Sequence, residues 1–548
     1  MLRIGLMIDS LTIDAWIYQL IDDIRKSGFA DVVFIIENTP ELPKPKRSFW
    51  ALTKARWKST VWERYAAWDR TTNILENDAE EQKDLTSLLD GITRIQIEPI
   101  RKRWTDRFRE EDEQLIRDAQ LDVIIRFGFR IIRGPILNTA RCGVWSYHHD
   151  DNLEYRGGPH SFWEIYEKKA VSGSILQILT DALDGGRVIY RSQSSTHMYS
   201  QAKNRNPILW KTAEFVMRRL RDLDARGMDF IESLPTYKEN IPYTRGIYRK
   251  PDTPQMLYFL SGQFYRRIQA KLRSKLRGNR VKWFFALRVR SEARFDSTSG
   301  YKVIAPPADR CYADPFLIEY NRSVYLFFEN YIFEKKRAHI SCIEVRPDGA
   351  VTEPVDVLSP PYHLSYPFVF ESNGDMYMIP ESIANRSVEL YKASEFPHKW
   401  VFVATLLEDI LAADATIHFH NEKFWMFTSI SNGLYSNSDE LSIFYADSLL
   451  GPWTPHPMNP LVSDVRRARP AGRLFYEDGK LIRPSQDCSQ CYGYALNFSE
   501  VTILTEKEYE EKFIANVLPD WTKGNLGTHH YTRAGKFEVI DGKFLGRL

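Results

Sequence analysis

Two histidines and two aspartates, His148, His149, Asp150 and Asp151, follow the β-branched and aromatic run that ends at Val144 and Trp145. Beyond a second apolar run, Ser174 to Leu179, stand two further acids, Asp181 and Asp184. An imidazole and a carboxylate brought together from two such loops can move a proton, because the acid fixes the ring tautomer and stabilises its charged form. Ser146 can add a hydroxyl donor to an oxyanion developing beside the ring. The expected roles are proton transfer or oxyanion stabilisation for His148, orientation of that ring for Asp184, and hydrogen-bond donation for Ser146. A metal cluster is the first alternative, but adjacent side chains rarely converge on one ion, so no metal is expected. A solvated loop with a structural histidine is the second.

Titratable residues at the mouth of buried strands are where an open α/β sheet builds its sites, so the flanking chain must supply such a sheet. Residues 4–9 and 31–36 read as buried parallel strands joined by a helix from about Asp14 to Lys26. This βαβ opening lacks Gly-x-Gly-x-x-Gly, so a bound dinucleotide is not expected. Residues 121–125 predict the next strand, and 208–235 a closing helix with apolar positions at helical spacing. Residues 45–70 carry Trp50, Trp57, Trp62 and Trp68. These fit a helix covering the sheet, with stacking on a base or sugar as the alternative. The acidic run 76–84 reads as a solvated turn.

The stretch 144–184 resembles the signature of the folate-dependent formyltransferases. His148 falls on the family histidine, Tyr155-Arg156-Gly157 on its Tyr-Arg-Gly turn, Trp163 on its tryptophan, Gly173 on its glycine and Asp184 on its aspartate. Ser146 stands where the family has Asn, and His149 where it has Pro. The segment 126–137 is similar to the loop against which the pterin lies, with Phe129 at the glycine, Ile131 and Ile132 as the apolar pair, and Arg133 in place of proline. The resemblance implies a Rossmann-like α/β formyltransferase domain over 1–238. It implies N10-formyltetrahydrofolate as co-substrate, held by Phe129, Ile131, Ile132 and Asp181, and acceptor contacts from Tyr155, Arg156 and Gly157.

After a proline-containing linker at 236–255, Thr253 to Ser291 holds ten Lys or Arg and no acid, with Leu257, Phe264, Ile268 and Leu272 among its apolar positions. Such a segment fits a helix with a solvated basic side, or one lying on an anionic membrane surface. The second reading gives a peripheral membrane contact through 254–290. No recognition module accompanies the charge, so nucleic acid is not an expected partner. From about 281 the pattern changes to short alternating strands. Units beginning at Asp314, Pro367, Asp414 and Ala471 each read as apolar strand, hairpin turn and aromatic strand, one sheet per repeat. A fifth sheet assembled from 282–306 and 536–548 closes a ring and removes exposed edges.

This half resembles the five-bladed propellers of the family-43-type glycosidases, and more closely the propeller domain fused to plant glucosamine inositolphosphorylceramide transferases. Stretches 365–382 and 469–488 carry the likeness. It implies an all-β five-bladed propeller over 281–548, preceded by a basic helical linker at 239–280. It also implies carboxylates aimed at a central funnel from different blades. Asp314, Glu381 and Asp414 stand where they can do this, or where they begin strands and bind neighbouring backbone.

Together the two halves imply N-formylation of an amino-sugar amine, nucleotide-linked or glycan-linked, in surface polysaccharide synthesis, with a glycan as a further partner in the propeller. The alternatives are a glycoside hydrolase or glycosyl-transferring enzyme working in the funnel, and a non-catalytic glycan-binding assembly protein. At 548 residues, 43% hydrophobic, 27% charged and net +2, the composition is ordinary and no apolar run is long enough to span a membrane. No basic and apolar leader opens the sequence, and the five cysteines are sparse and odd in number. A cytoplasmic setting follows, peripheral to the inner face of the membrane under the membrane-contact reading. Cys488 and Cys491 lack a second pair for zinc and read as structural thiols.

Overall fold

The computed structural model describes residues 1–39, 49–73, 75–102, 104–181, 186–233, 245–277, 280–290 and 294–546, without the side chains of 49–59 and 273–277. Asp184 therefore lies outside the described residues. The chain divides into two compact units, Met1–Phe264 and Tyr265–Leu548.

The first unit is built on a seven-stranded sheet in the order Arg187–Ser195, Val171–Ile178, Val144–His148, Val123–Arg126, Leu2–Ile8, Ala30–Asn38, Thr93–Ile97. The five strands from Val144–His148 to Thr93–Ile97 are parallel, and the two at the other edge run antiparallel. The sheet is thus mixed rather than wholly parallel. The link between Val171–Ile178 and Arg187–Ser195 is too short for a helical crossover, so the chain turns back as a hairpin. Ile4, Leu6, Ile36, Ile124 and Ile125 are buried on both faces, as parallel strands covered by helices require.

Helix Ala15–Lys26 buries Trp16, Leu20, Ile21 and Ile24, one stripe at helical spacing, against that sheet. The closing helix begins earlier than its apolar pattern suggests, at Gln201, because the Ser200 side chain accepts the Lys203 N–H at 3.1 Å and caps it. Helix Phe49–Thr72 covers the unit with Trp62, packed with Tyr65, Phe162 and Phe259, whereas Trp68 is exposed. The 76–84 run is only partly a turn. Gln82–Asp84 pairs with Thr12–Asp14, a polar edge ladder that hydrophobic periodicity does not register. Among the described residues no helix is long and apolar enough to cross a membrane.

The second unit is all-β after helix Thr253–Arg277, whose C-terminal part it includes. Four antiparallel repeat sheets follow one another, opening at Arg310–Tyr320, Ser365–Ser372, Leu411–His420 and Phe475–Glu477. Their first hairpins turn through Asn321-Arg322, Asn373-Gly374, Asn421-Glu422 and Asp478-Gly479, all at positive φ. These are the paired left-handed residues that match the twist of a tight hairpin. A closing sheet joins Val281–Val289 and Lys302–Ile304 to Tyr531–Ala534 and Phe537–Leu545, so both ends of the unit meet in one ladder. Apolar cores link the closing sheet to the first repeat sheet, the first to the second, the second to the third, the third to the fourth, and the fourth back to the closing sheet. The five sheets therefore form a ring.

Candidate functional site

Three repeat sheets open with a residue in the left-handed region, Asp314 (φ 50°), Tyr366 (φ 44°) and Asp414 (φ 57°), and the fourth is preceded by Gly472 (φ 122°). At the first three the ladder register slips, between Ala313 and Phe316, Ser365 and Phe368, and Ala413 and Thr416. Such a bulge re-aims the side chain it carries, and non-glycine residues adopt positive φ only where the surroundings hold them. Here the repeated bulge gathers polar groups from successive sheets. Tyr366 N donates to Asp314 Oδ2 at 3.2 Å, and Asp414 N donates to Glu381 Oε2 at 3.2 Å.

Arg469, in the loop before the fourth repeat sheet, ties the cluster together. Its Nε donates to Asp414 Oδ2 at 2.6 Å, while its Nη2 donates to Asp414 Oδ1 and to Glu381 Oε2, both at 3.2 Å. Gln486 Nε2 donates to Asp414 Oδ2 at 2.8 Å. From the loop before Tyr531–Ala534, His529 Nδ1 bonds Asp541 of the closing sheet, its Nε2 stands 3.6 Å from Asp314 Oδ1, and its ring stacks on Trp283 at 3.9 Å. All five sheets or their connecting loops thus contribute to one buried charged group.

Burial sets its electrostatics, since Asp314 and Asp414 are only 4% and 2% exposed. Loss of water pushes the Asp314 carboxyl up to about 7 against the opposing charge of His529, and the Asp414 carboxyl up to about 7 against Arg469. Glu329, across the ladder from Ala313, is held well above the usual carboxylate range by burial and by Asp314. Burial works against a charged His529, but Asp541 and the other acids outweigh it and hold the ring above its ordinary value. Asp541 is likewise driven up by burial and brought below its ordinary value by His529. The result is an ion pair standing behind Asp314. Asp314, His529 and Asp541 also offer ligand atoms within 4.8 Å of one another, a donor set chemically able to hold a divalent cation.

Asp314, Glu381 and Asp414, singled out in the sequence, therefore belong to one cluster. Arg469, Gln486, His529, Asp541 and Tyr366 were missed. Tyr366 had a positional signal, since it takes the bulge position that Asp314 and Asp414 take in their sheets; the other four carry no motif and no repeat position.

The first-unit residues surround a cavity of about 370 Å³ lined by Arg126, Arg133, Ser146, His148, His160 and Asp181, among others. Ser146 Oγ accepts from Arg126 Nη1 at 3.0 Å, and His148 Nε2 lies 2.9 Å from the Tyr155 carbonyl oxygen. Asp181 Oδ1 accepts Gly134 N–H at 3.0 Å. Ile131 is exposed, Ile132 is buried, and Phe129 packs in the core on Phe108. Tyr155 is buried and its hydroxyl donates to Glu167 Oε2 at 2.9 Å, while Arg156 Nε donates to Asn152 O at 3.1 Å. Gly157 bridges Tyr248 through the backbone. Where Asp184 stands relative to His148 falls outside the described residues.

Residues 302–541 match the family model for the N-terminal part of glucosamine inositolphosphorylceramide transferase 1. Glucosamine inositolphosphorylceramide transferase 1 of Arabidopsis thaliana is 35% identical over 243 residues, 43% of this chain and 31% of the relative. The Oryza sativa subsp. japonica protein of the same name is 36% identical over 204 residues, 36% of this chain and 27% of the relative. The chain thus spans about a third of the length of the curated relatives it matches. Among solved structures, glycinamide ribonucleotide transformylase 1 from Symbiobacterium toebii is 16% identical, covering 41% of this chain and 88% of that one with a TM-score of 0.27. A family 117 glycoside hydrolase from Zobellia galactanivorans is 11% identical, covering 48% and 91% with a TM-score of 0.32. Likeness at these scores carries no argument about activity.

The relatives are named for glucosamine, inositolphosphorylceramide and transfer, not for formyl transfer. This overturns the expectation of N-formylation and of N10-formyltetrahydrofolate as co-substrate. In the described geometry the Tyr155 carbonyl lies 2.9 Å from His148 Nε2, while Ser146 accepts from Arg126.

Proposed function

We propose that the protein is a sugar-transferring enzyme whose carbohydrate site is the charged cluster within the ring, a propeller in the sense anticipated from the sequence. The observation that carries this reading is the convergence of Asp314, Glu381, Asp414, Arg469 and the His529–Asp541 pair from five sheets, inside the segment that matches the transferase family model. Asp314 is the proton-transfer group. A carboxyl near 7 is poised at neutral pH, and the ion pair behind it keeps a compensating charge in place. In the forward step an acceptor hydroxyl gives its proton to Asp314 as its oxygen bonds the anomeric carbon, and the donor's leaving group departs with the bonding electrons.

Asp414 and Glu381 bond the same guanidinium nitrogen of Arg469. They therefore lie inside the roughly 6.5–9.5 Å separation that lets inverting hydrolysis place a water between two carboxyls. That is closer than inverting hydrolysis uses, and Arg469 fixes the pair as a binding wall. The excess of carboxylates suits an amino sugar, whose ammonium they can pair. A lipid-linked acceptor also fits helix Thr253–Arg277, which exposes Leu257, Phe264, Tyr265 and Leu272 in the stretch that has ten Lys or Arg and no acid. The test is incubation of the purified protein with a nucleotide-linked hexosamine and an inositolphosphoryl-lipid, followed by mass spectrometry. Lipid gaining one hexosamine in the wild type and not in Asp314→Asn supports the reading. Hexosamine binding without product favours a glycan-binding protein instead.

A further inference from the structure

The first unit holds a polar constellation that the sugar chemistry of the ring does not use. His160 lines the 370 Å³ cavity, and its Nδ1 lies 3.1 Å from Asp150 Oδ2. Asp150 is buried and its other oxygen accepts Ser161 N–H at 2.9 Å, so the carboxylate cannot swing away from the ring. The backbone that carries the ring is pinned as well. Gln201 Nε2 donates to His160 O at 2.8 Å, and Asn204 Nδ2 donates to Ser161 O at 3.1 Å, both from the long helix Gln201–Arg226. An imidazole tied by Nδ1 to a fixed acid presents Nε2 for proton exchange, and a site built on a rigid element keeps its geometry.

Behind Asp150 lies Glu164, almost wholly buried, its carboxyl held well above the ordinary range by burial and by Asp150. Arg126 and Arg133 also line the cavity, as does Asp181. Arg126 uses Nη1 on Ser146 and Nη2 on the Phe129 and Arg130 carbonyls, while its Nε and the Nε of Arg133 are buried donors without a hydrogen-bond partner among the described residues. A buried donor without a partner is destabilising, and an entering acceptor relieves it.

We propose that this cavity is a second site, binding a small oxyanion-bearing molecule through Arg126 and Arg133 and exchanging a proton with it through His160. The ligand's X–H bond breaks, the proton passes to His160 Nε2, and the electron pair remains on X; the Nδ1 hydrogen stays on its bond to Asp150. His160 is the group that meets the ligand and Asp150 is a positioning residue. The phosphate or carboxylate that supplies the oxyanion is common chemistry to many small molecules, so inorganic phosphate and acetate serve as separate probes.

The experiment is diethyl pyrocarbonate acylation of the full chain, with the rate at each histidine read by peptide mass spectrometry. His160 is expected to react at least tenfold faster than His149, whose Nδ1 is buried, and phosphate or acetate is expected to slow it severalfold. That protection is expected to vanish in Arg126→Gln and to fall in Arg133→Gln, the second variant serving if the first folds poorly. In Asp150→Ala, which removes the acceptor that orients the ring, the acylation advantage of His160 over His149 should shrink severalfold. No protection of the wild type by either anion, or protection that persists in both arginine variants, overturns the proposal. Sugar transfer at the ring enters none of these readouts, so the two sites stand or fall separately.

Discussion

Arg469 Nε lies 2.6 Å from Asp414 Oδ2 in a site where both side chains are almost fully buried. The guanidinium also holds Glu381, so one cation compensates two acids drawn from different sheets. Removing one partner from such a group leaves a buried charge uncompensated, at a cost of about 3–5 kcal/mol. Arg469→Gln should therefore destabilise the second unit by that amount in denaturant unfolding. Adding Asp414→Asn to it should recover a large part of the loss. A double variant as unstable as the sum of the singles would mean the pair is not coupled.

Asp314 couples stability to pH. Its folded value, about 7, lies above the ordinary 3.8, so the folded state binds the proton more tightly than the unfolded one. The stabilisation is full below about pH 4 and is lost as pH rises through about 7. Asp314→Asn should remove this dependence and raise the melting temperature at pH 8 relative to the wild type, by a few degrees for roughly 1–2 kcal/mol. Calorimetry at pH 5 and pH 8 checks the sign. A larger loss of stability for the variant at pH 8 than at pH 5 would contradict it.

Gly157 sits at φ +102°, and a Cβ built there would lie 2.1 Å from the Tyr248 carbonyl oxygen. No neighbour can yield without breaking the backbone bridge between these residues. Gly157→Ala should cost about 2 kcal/mol or more and expose 245–248 to proteolysis. Limited digestion at matched temperature reads this directly. An unchanged digestion pattern would show that the bridge is dispensable.

Helix Thr253–Arg277 exposes Phe264 and Leu272 at 67% and 53%. If that face meets a lipid surface, replacing both by Glu removes buried apolar area and adds like charge, and attraction to anionic lipid is worth about 1 kcal/mol per basic residue. Cosedimentation with phosphatidylserine-containing vesicles should fall at least tenfold in the double variant and be weak for the wild type on neutral vesicles. Equal binding by both proteins would assign the face to another contact.

Much of the scaffold was legible in the sequence because burial writes a period into it. The run from Leu2 to Ile8, the stripe Trp16, Leu20, Ile24 and the four hairpins with Asn or Asp at their turns all follow from apolar spacing and turn chemistry. The mixed edge of the first sheet was not legible, since a buried strand reads alike in either direction. Asp314, Glu381 and Asp414 could be named because they recur beside apolar strands, but Arg469 and His529 sit in loops and Asp541 in the last strand, far from them in the chain. The same holds for His160, whose partner Asp150 appeared only as part of a cluster. The formyl-transfer reading failed because matched residue spacing does not report where hydroxyls and imidazoles point. Ser146 and His148 are turned to Arg126 and to a backbone carbonyl.

The most direct test of sugar chemistry at the ring is the rate of hexosamine transfer to an inositolphosphoryl-lipid as a function of pH, for the wild type and Asp314→Asn with the fold of each verified by circular dichroism. The account predicts a wild-type rate that rises through about pH 7, as the Asp314 carboxyl ionises, and a loss of about a hundredfold or more in the variant. Transfer by Asp314→Asn at the wild-type rate, or a wild-type profile flat from pH 5 to 8, would contradict it.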